Sequence, residues 1–269
     1  MTRISLGVLA LGFLAPLGAA QTDVSAVPTA NPARPTISTP ATLTPVGYLQ
    51  FESGALGATH SPEFSSQVSM NEVVKLTVAP RLEFLAISEP VAHSSVGAPV
   101  GASSGDTPSN LPGDVSLGVQ GVLFPGEGAK PTISLGYSYR VYGGDAPDLD
   151  IGSAKNSLLL LVSADVAGFH YDANVLLNEQ VVAPVARAQF GQTLSISHHL
   201  AGDFSLTGEI WRFTEPFLRG NAIGTLWSLG FTPRGNLVFD GGFDRGLTST
   251  STRWEGFAGF TYVLPHRLW

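Results

Sequence analysis

The chain has 269 residues, no cysteine and a formal net charge of -7 at pH 7. Charged residues make up 13%, about half of the roughly 25% usual in a soluble domain, and the mean hydropathy is +0.20. These figures exclude a disulfide scaffold and a thiolate metal site, argue against nucleic acid as a partner, and leave too few charges to cover a globular surface.

Residues 1–20, MTRISLGVLALGFLAPLGAA, read as a signal peptide cleaved after Ala20. Arg3 supplies the basic start, an apolar run follows from Ile4, and Gly18 and Ala20 are the small residues before the cut. No cysteine follows the cut, which excludes a lipoprotein. Residues 21–45 hold Pro28, Pro32, Pro35, Pro40 and Pro45 among small polar residues. That composition predicts an extended or flexible periplasmic lead-in, not a packed element. The remaining domain runs over 46–269.

No internal stretch reads as a membrane-spanning helix. SLLLLVSADVAGF (157–169) contains Asp165 and is well short of the roughly 20 apolar residues a span needs. What the domain shows instead is period-two alternation. Leu49, Phe51 and Ala55 share one face, with Gln50 and Glu52 opposite. A hairpin about Ala79-Pro80 puts Val74, Leu76, Leu82 and Phe84 on one side and Lys75, Thr77 and Glu83 on the other. Val115, Leu117, Val119, Ile133, Leu135, Tyr137 and Tyr139 oppose Ser116, Gln120, Ser134, Ser138 and Arg140 across PGEGAK. A tight turn at Ala167-Gly168 sets Phe169, Tyr171, Ala173 and Val175 against His170, Asp172 and Asn174. Further hairpins turn at 201–203 and at TPRGN (232–236). The ending RWEGFAGFTYVLPHRLW alternates Trp254, Gly256, Ala258, Phe260 and Tyr262 against Glu255, Gly259 and Thr261, with Trp269 finishing its apolar face. The sum is an all-β chain forming a transmembrane antiparallel up-and-down barrel of about twelve strands.

Connection lengths point the same way. Turns at 79–81, 125–131, 167–168, 201–203 and 233–236 are short, whereas 87–114, 143–155, 178–188 and 247–253 are longer and richer in Pro, Ser and Gly. Short periplasmic turns and long outer loops mark an outer-membrane barrel. The closing strand must pair with the first to leave no edge, and its terminal aromatics belong at a membrane interface.

Parity assigns the lumen. Glu52, Glu83, Asp165, Asp172, Glu209, Asp240, Asp244 and Glu255 face inward against Lys75, Arg140 and Arg187, with His170 and Asn174 on the same wall. An excess of carboxylates favours cations, and a barrel of this size predicts a narrow or partly plugged passage.

Other motifs carry little chemistry. GASSG (101–105) matches the spacing of a nucleophile elbow but lies in a Gly/Ser/Pro loop, where Ser103 lacks the required strand–turn–helix. His198 and His199 are adjacent on a strand and point to opposite faces, so they do not share a metal. Asp145, Asp148 and Asp150 depart from calcium-loop spacing and lack its bidentate glutamate, and read as a solvated acidic loop. No catalytic residue, metal site or cofactor is expected, and the chain reads as a non-enzyme.

Four stretches carry a narrower resemblance: RPTISTPATLTPVGYLQFESG (34–54), PRLEF (80–84), LVFDGGFDRGL (237–247) and FAGFTYVL (257–264). They resemble the outer-membrane transporter family named for the meta-pathway of phenol degradation. The resemblance implies a Gram-negative outer-membrane channel for passive passage of small solutes, including hydrophobic or aromatic ones. Resemblance to the wider class implies that the C-terminal strand is read by the outer-membrane assembly machinery. Lipid and lipopolysaccharide would surround such a barrel. The alternative is a barrel with a structural or surface-interaction role, its 87–114 loop meeting partners.

Overall fold

The alternating segments become thirteen strands in a computed structural model, which describes residues 27–96, 107–147, 154–182, 184–218 and 220–269. They are β1 (Leu49–Thr59), β2 (Ser66–Ala79), β3 (Leu82–Val96), β4 (Thr107–Leu111), β5 (Val115–Phe124), β6 (Thr132–Tyr142) and β7 (Ala154–Val166). Then come β8 (Phe169–Val182), β9 (Val185–Ala201), β10 (Phe204–Glu215), β11 (Gly220–Arg234), β12 (Leu237–Gly246) and β13 (Trp254–Val263). Every pairing is antiparallel, and β2 joins β3 while β1 joins β13. Twelve strands therefore close on themselves, and β4 is a short addition paired with the outer part of β3.

Burial runs opposite to that of a soluble domain. Gln50, Glu52, Lys75 and Glu83 are buried, while Leu117, Leu135, Phe190 and Trp227 are exposed on the outer wall. In water, long apolar side chains in this number would not be left outside while charges were taken in. A hydrocarbon surround reverses the preference, and closure satisfies each strand's backbone groups within the sheet.

The hairpin between β7 and β8 shows local sequence and global twist agreeing. Ala167 and Gly168 have φ of 53° and 84°, the positive pair that a two-residue turn matched to strand twist requires. Both the start of β1 and the end of β13 lie at this short-turn end, since Gln50 pairs with Val263.

Four sequence expectations change. The loop expected over 87–114 is partly strand, because β3 continues to Val96 and β4 returns alongside it. The loop expected over 178–188 shrinks, with β8 reaching Val182 and β9 starting at Val185. Trp269 does not finish β13. The strand stops at Val263, and the tail instead donates from Leu264 N to Leu49 O and from Leu268 N to Gly47 O. The fourth change concerns the proline-rich lead-in, which is packed inside the barrel from residue 27 onward. The signal-peptide segment 1–20 lies outside the described residues.

Candidate functional site in the barrel lumen

Residues 27–45 enter at the short-turn end, where Ala30 N donates to Gly235 O. They then cross the lumen and return to the wall before β1. Prolines make this possible: each fixes an extended φ and removes an N–H that the lumen would otherwise have to satisfy. Ser38, Ala41 and Thr44 are fully or almost fully buried.

The wall holds the segment mainly through carboxylates. Glu52 accepts from Ala33 N at 3.0 Å and Arg34 N at 3.1 Å, and pairs with Lys75 Nζ at 2.5 Å. Lys75 also donates to Asn31 O at 3.0 Å. Glu209 accepts from Ile37 N at 2.8 Å, Ser38 N at 2.7 Å and Ser38 Oγ at 2.5 Å. Glu83 accepts from Thr44 N at 2.9 Å and from the hydroxyls of Thr44 and Thr77. Asp240 meets Arg34 Nη2 at 3.2 Å. Charge-assisted bonds of this kind are about twice as strong as neutral ones, and buried carboxylates need them.

Neutral groups complete the ring. Asn174 accepts from Thr39 N at 2.6 Å and donates back to Thr39 O at 2.9 Å. Ser163 Oγ accepts from Ala41 N and donates to Asp172 Oδ1. Gln120 donates to Pro40 O and Ser134 to Ala41 O. Contacts to β1, β2, β3, β5, β6, β7, β8, β9, β10 and β12 place the segment across the whole bore.

Seven of the inward residues picked by parity thus gather around this segment: Glu52, Lys75, Glu83, Asp172, Asn174, Glu209 and Asp240. The others do not. Asp165 and His170 sit beside the β7–β8 turn, paired at 2.7 Å, with His170 also 3.2 Å from Asp172. Arg140 is near the long-loop end, bonded to Asp114 at 3.0 Å. Arg187, also near that end, donates to Pro216 O and lies over the Phe217 ring. Asp244 stands opposite Glu255 in the β12–β13 register and accepts from Trp211 Nε1 at 2.6 Å.

That tryptophan belongs to a feature the expected polar lumen omits. Leu176, Trp211, Phe213 and Ala222 form a buried apolar cluster on the inner wall, with Ile37 of the segment packed on it. The signal was present in EIWRF (209–213): if Glu209 points inward, strand parity sends Trp211 and Phe213 inward too. On the short-turn side of the segment a polar cavity of about 180 Å³ is lined by Arg34, His170, Asp172, Ser195 and Asp240 among others. His198 and His199 meet different carbonyls, Gly168 O and Gly202 O. Ser103, Asp148 and Asp150 lie outside the described residues.

No family model and no curated protein matches the chain. Among solved structures, an outer membrane channel from Pseudomonas putida F1 superposes with a TM-score of 0.57 at 12% identity, covering 83% of this chain and 98% of its own. The NanC porin gives 0.51 at 9% identity over 81% and 99%. The KdgM porin gives 0.50 at 12% identity over 79% and 98%. The chain has the fold of outer-membrane channels and porins. At these identities the likeness concerns the fold.

Proposed function

We propose that the protein is an outer-membrane channel for passive passage of small solutes, closed at rest by its own residues 27–45. The observation that carries this reading is the segment itself. It lies across a closed bore that would otherwise run between the two ends, and it is held by side-chain hydrogen bonds instead of by strand pairing. A segment joined to the wall by discrete contacts can leave without opening the barrel seam, which a paired strand cannot. The resemblance to the phenol meta-pathway transporters adds an aromatic or hydrophobic solute as a finer reading, for which inward Trp211, Phe213 and Leu176 offer a surface.

The test uses the absence of cysteine in the chain. Ser38 Oγ lies 2.8 Å from Thr193 Oγ1, so Ser38→Cys with Thr193→Cys places two thiols within bridging reach. In planar bilayers the oxidised double variant should conduct less than the unmodified protein, and a reductant should restore it. Equal conductance in both redox states would rule out the segment as the closure. The second reading, a structural or surface-contact barrel, draws on the same filled lumen and expects no conductance in any state.

A further inference from the structure

The segment does more than fill space: it supplies hydrogen-bond donors to acidic wall positions, and one of its side chains is a cation. Arg34 pairs with Asp240 and lies over Gly54 and Gly259, neighbours of Asp240 on the adjoining strands β1 and β13. A Cβ built on either glycine would fall 2.2 Å or 2.6 Å from the guanidinium nitrogen Nη2. Two neighbouring, paired strands therefore carry no side chain where this group sits. The fit is incomplete on its polar side. Arg34 Nε and Asp240 Oδ2 are both buried without a hydrogen-bond partner among the described residues, and both residues border the polar cavity of about 180 Å³.

The charges left behind can be counted by partner. With the segment withdrawn, Glu52 keeps Lys75, and Asp172 keeps Ser163 and His170. Glu83 keeps only the Thr77 hydroxyl among the contacts described above. Glu209 loses the two backbone N–H groups and the hydroxyl supplied by Ile37 and Ser38. Asp240 loses Arg34. The inward cations Arg140 and Arg187 stand near the long-loop end, engaged there with Asp114 and Pro216. An acidic collar formed by Glu83, Glu209 and Asp240 thus appears on β3, β10 and β12 when the passage opens.

We infer that the passage selects small organic cations, and that Arg34 occupies the lumen site such a solute takes. A guanidinium or ammonium group pairs with Asp240 over Gly54 and Gly259, and competes with the residue that holds the segment in place. Anions meet three carboxylates in a low-dielectric bore and are excluded. This inference rests on the proposed channel function, and the experiment separates the two.

Two variants expose the collar: deletion of residues 27–45, and the full-length chain carrying Arg34→Ala with Ser38→Pro. The second removes the guanidinium from Asp240 and both Ser38 donors from Glu209. Each is reconstituted in planar bilayers under a potassium chloride gradient, then with methylguanidinium chloride and with potassium benzoate. The expected reversal potential lies on the cation side, most strongly at low ionic strength where screening is weak. Methylguanidinium should carry current and benzoate should not. Adding Glu83→Gln, Glu209→Gln and Asp240→Asn should move the reversal potential toward zero. A conducting barrel with no cation preference, or one whose preference survives the three substitutions, overturns this inference alone. A correctly folded barrel that conducts in neither form overturns the channel reading and this inference together.

Discussion

At the scale of single residues, the lumen is organised by what its glycines leave open. Trp211 lies on Gly224 and Phe213 on Gly191: a Cβ at either glycine would stand 2.2 Å and 2.3 Å from the respective rings. Glycine at an inward strand position gives up side-chain packing of its own, and here the large ring opposite takes the space. Gly224→Val should therefore overpack the wall and destabilise the barrel by about 1–3 kcal/mol. Urea unfolding in lipid vesicles, followed by tryptophan fluorescence, measures this, and an unchanged midpoint would show that Trp211 has another place to go. Glu209 is the complementary case. Its carboxylate collects three donors from residues 37 and 38, so Glu209→Ala should leave two segment N–H groups buried without an acceptor. Each such group costs about 1–3 kcal/mol. The expected result is faster protease cutting near residue 38 in the otherwise intact protein, and an unchanged cutting rate would deny Glu209 its anchoring role.

At the scale of elements, β13 has the most exacting task. It pairs with β1 from Thr59↔Trp254 to Gln50↔Val263 and with β12 on its other edge. Deleting Phe260–Trp269 removes the partners of Gln50, Phe51, Glu52 and Ser53 and opens the seam at the end nearest the termini, where unpaired backbone groups in hydrocarbon cost several kcal/mol each. The truncated chain should aggregate or be degraded before it accumulates in the membrane. Normal surface levels of that deletion would mean that closure does not depend on this strand. The segment 27–45 is an element of another kind. It has no ladder of its own, and its position is fixed by contacts to strands far away in sequence, such as Ile37 to Glu209 and Thr39 to Asn174.

For the whole molecule, the decisive property is an inside-out distribution of polarity around a closed sheet. An outward wall bearing Leu117, Tyr137, Phe190 and Trp227 is stable only against apolar surroundings. Fractionation should therefore recover the protein with outer membranes, and unheated samples should migrate differently from heated ones on gels because the closed barrel resists detergent unfolding. Recovery as a soluble monomer without detergent would contradict the membrane reading. Lipopolysaccharide as a surrounding lipid and recognition of the C-terminal strand by assembly machinery follow as proposals from that location.

The barrel was legible in the alternation of residues along the chain. Period-two alternation is local, and once charges must avoid lipid it assigns nearly every strand residue to one wall. Alternation places Asp244 and Glu255 on the same wall, and the β12–β13 register sets them opposite each other. Loop limits were less legible, because β3, β8 and β9 extend through Pro-, Ser- and Ala-containing stretches that are held by neighbouring strands more than by their own propensity. Barrel size predicted a narrow or partly plugged passage, but that residues 27–45 fill it was not legible. Five prolines and small polar residues describe an unstructured strip equally well in water and in a lumen. Only the closed barrel brings Glu52, Glu83, Glu209 and Asp240 from β1, β3, β10 and β12 around that strip, and long-range convergence of this kind leaves no periodic trace in the chain.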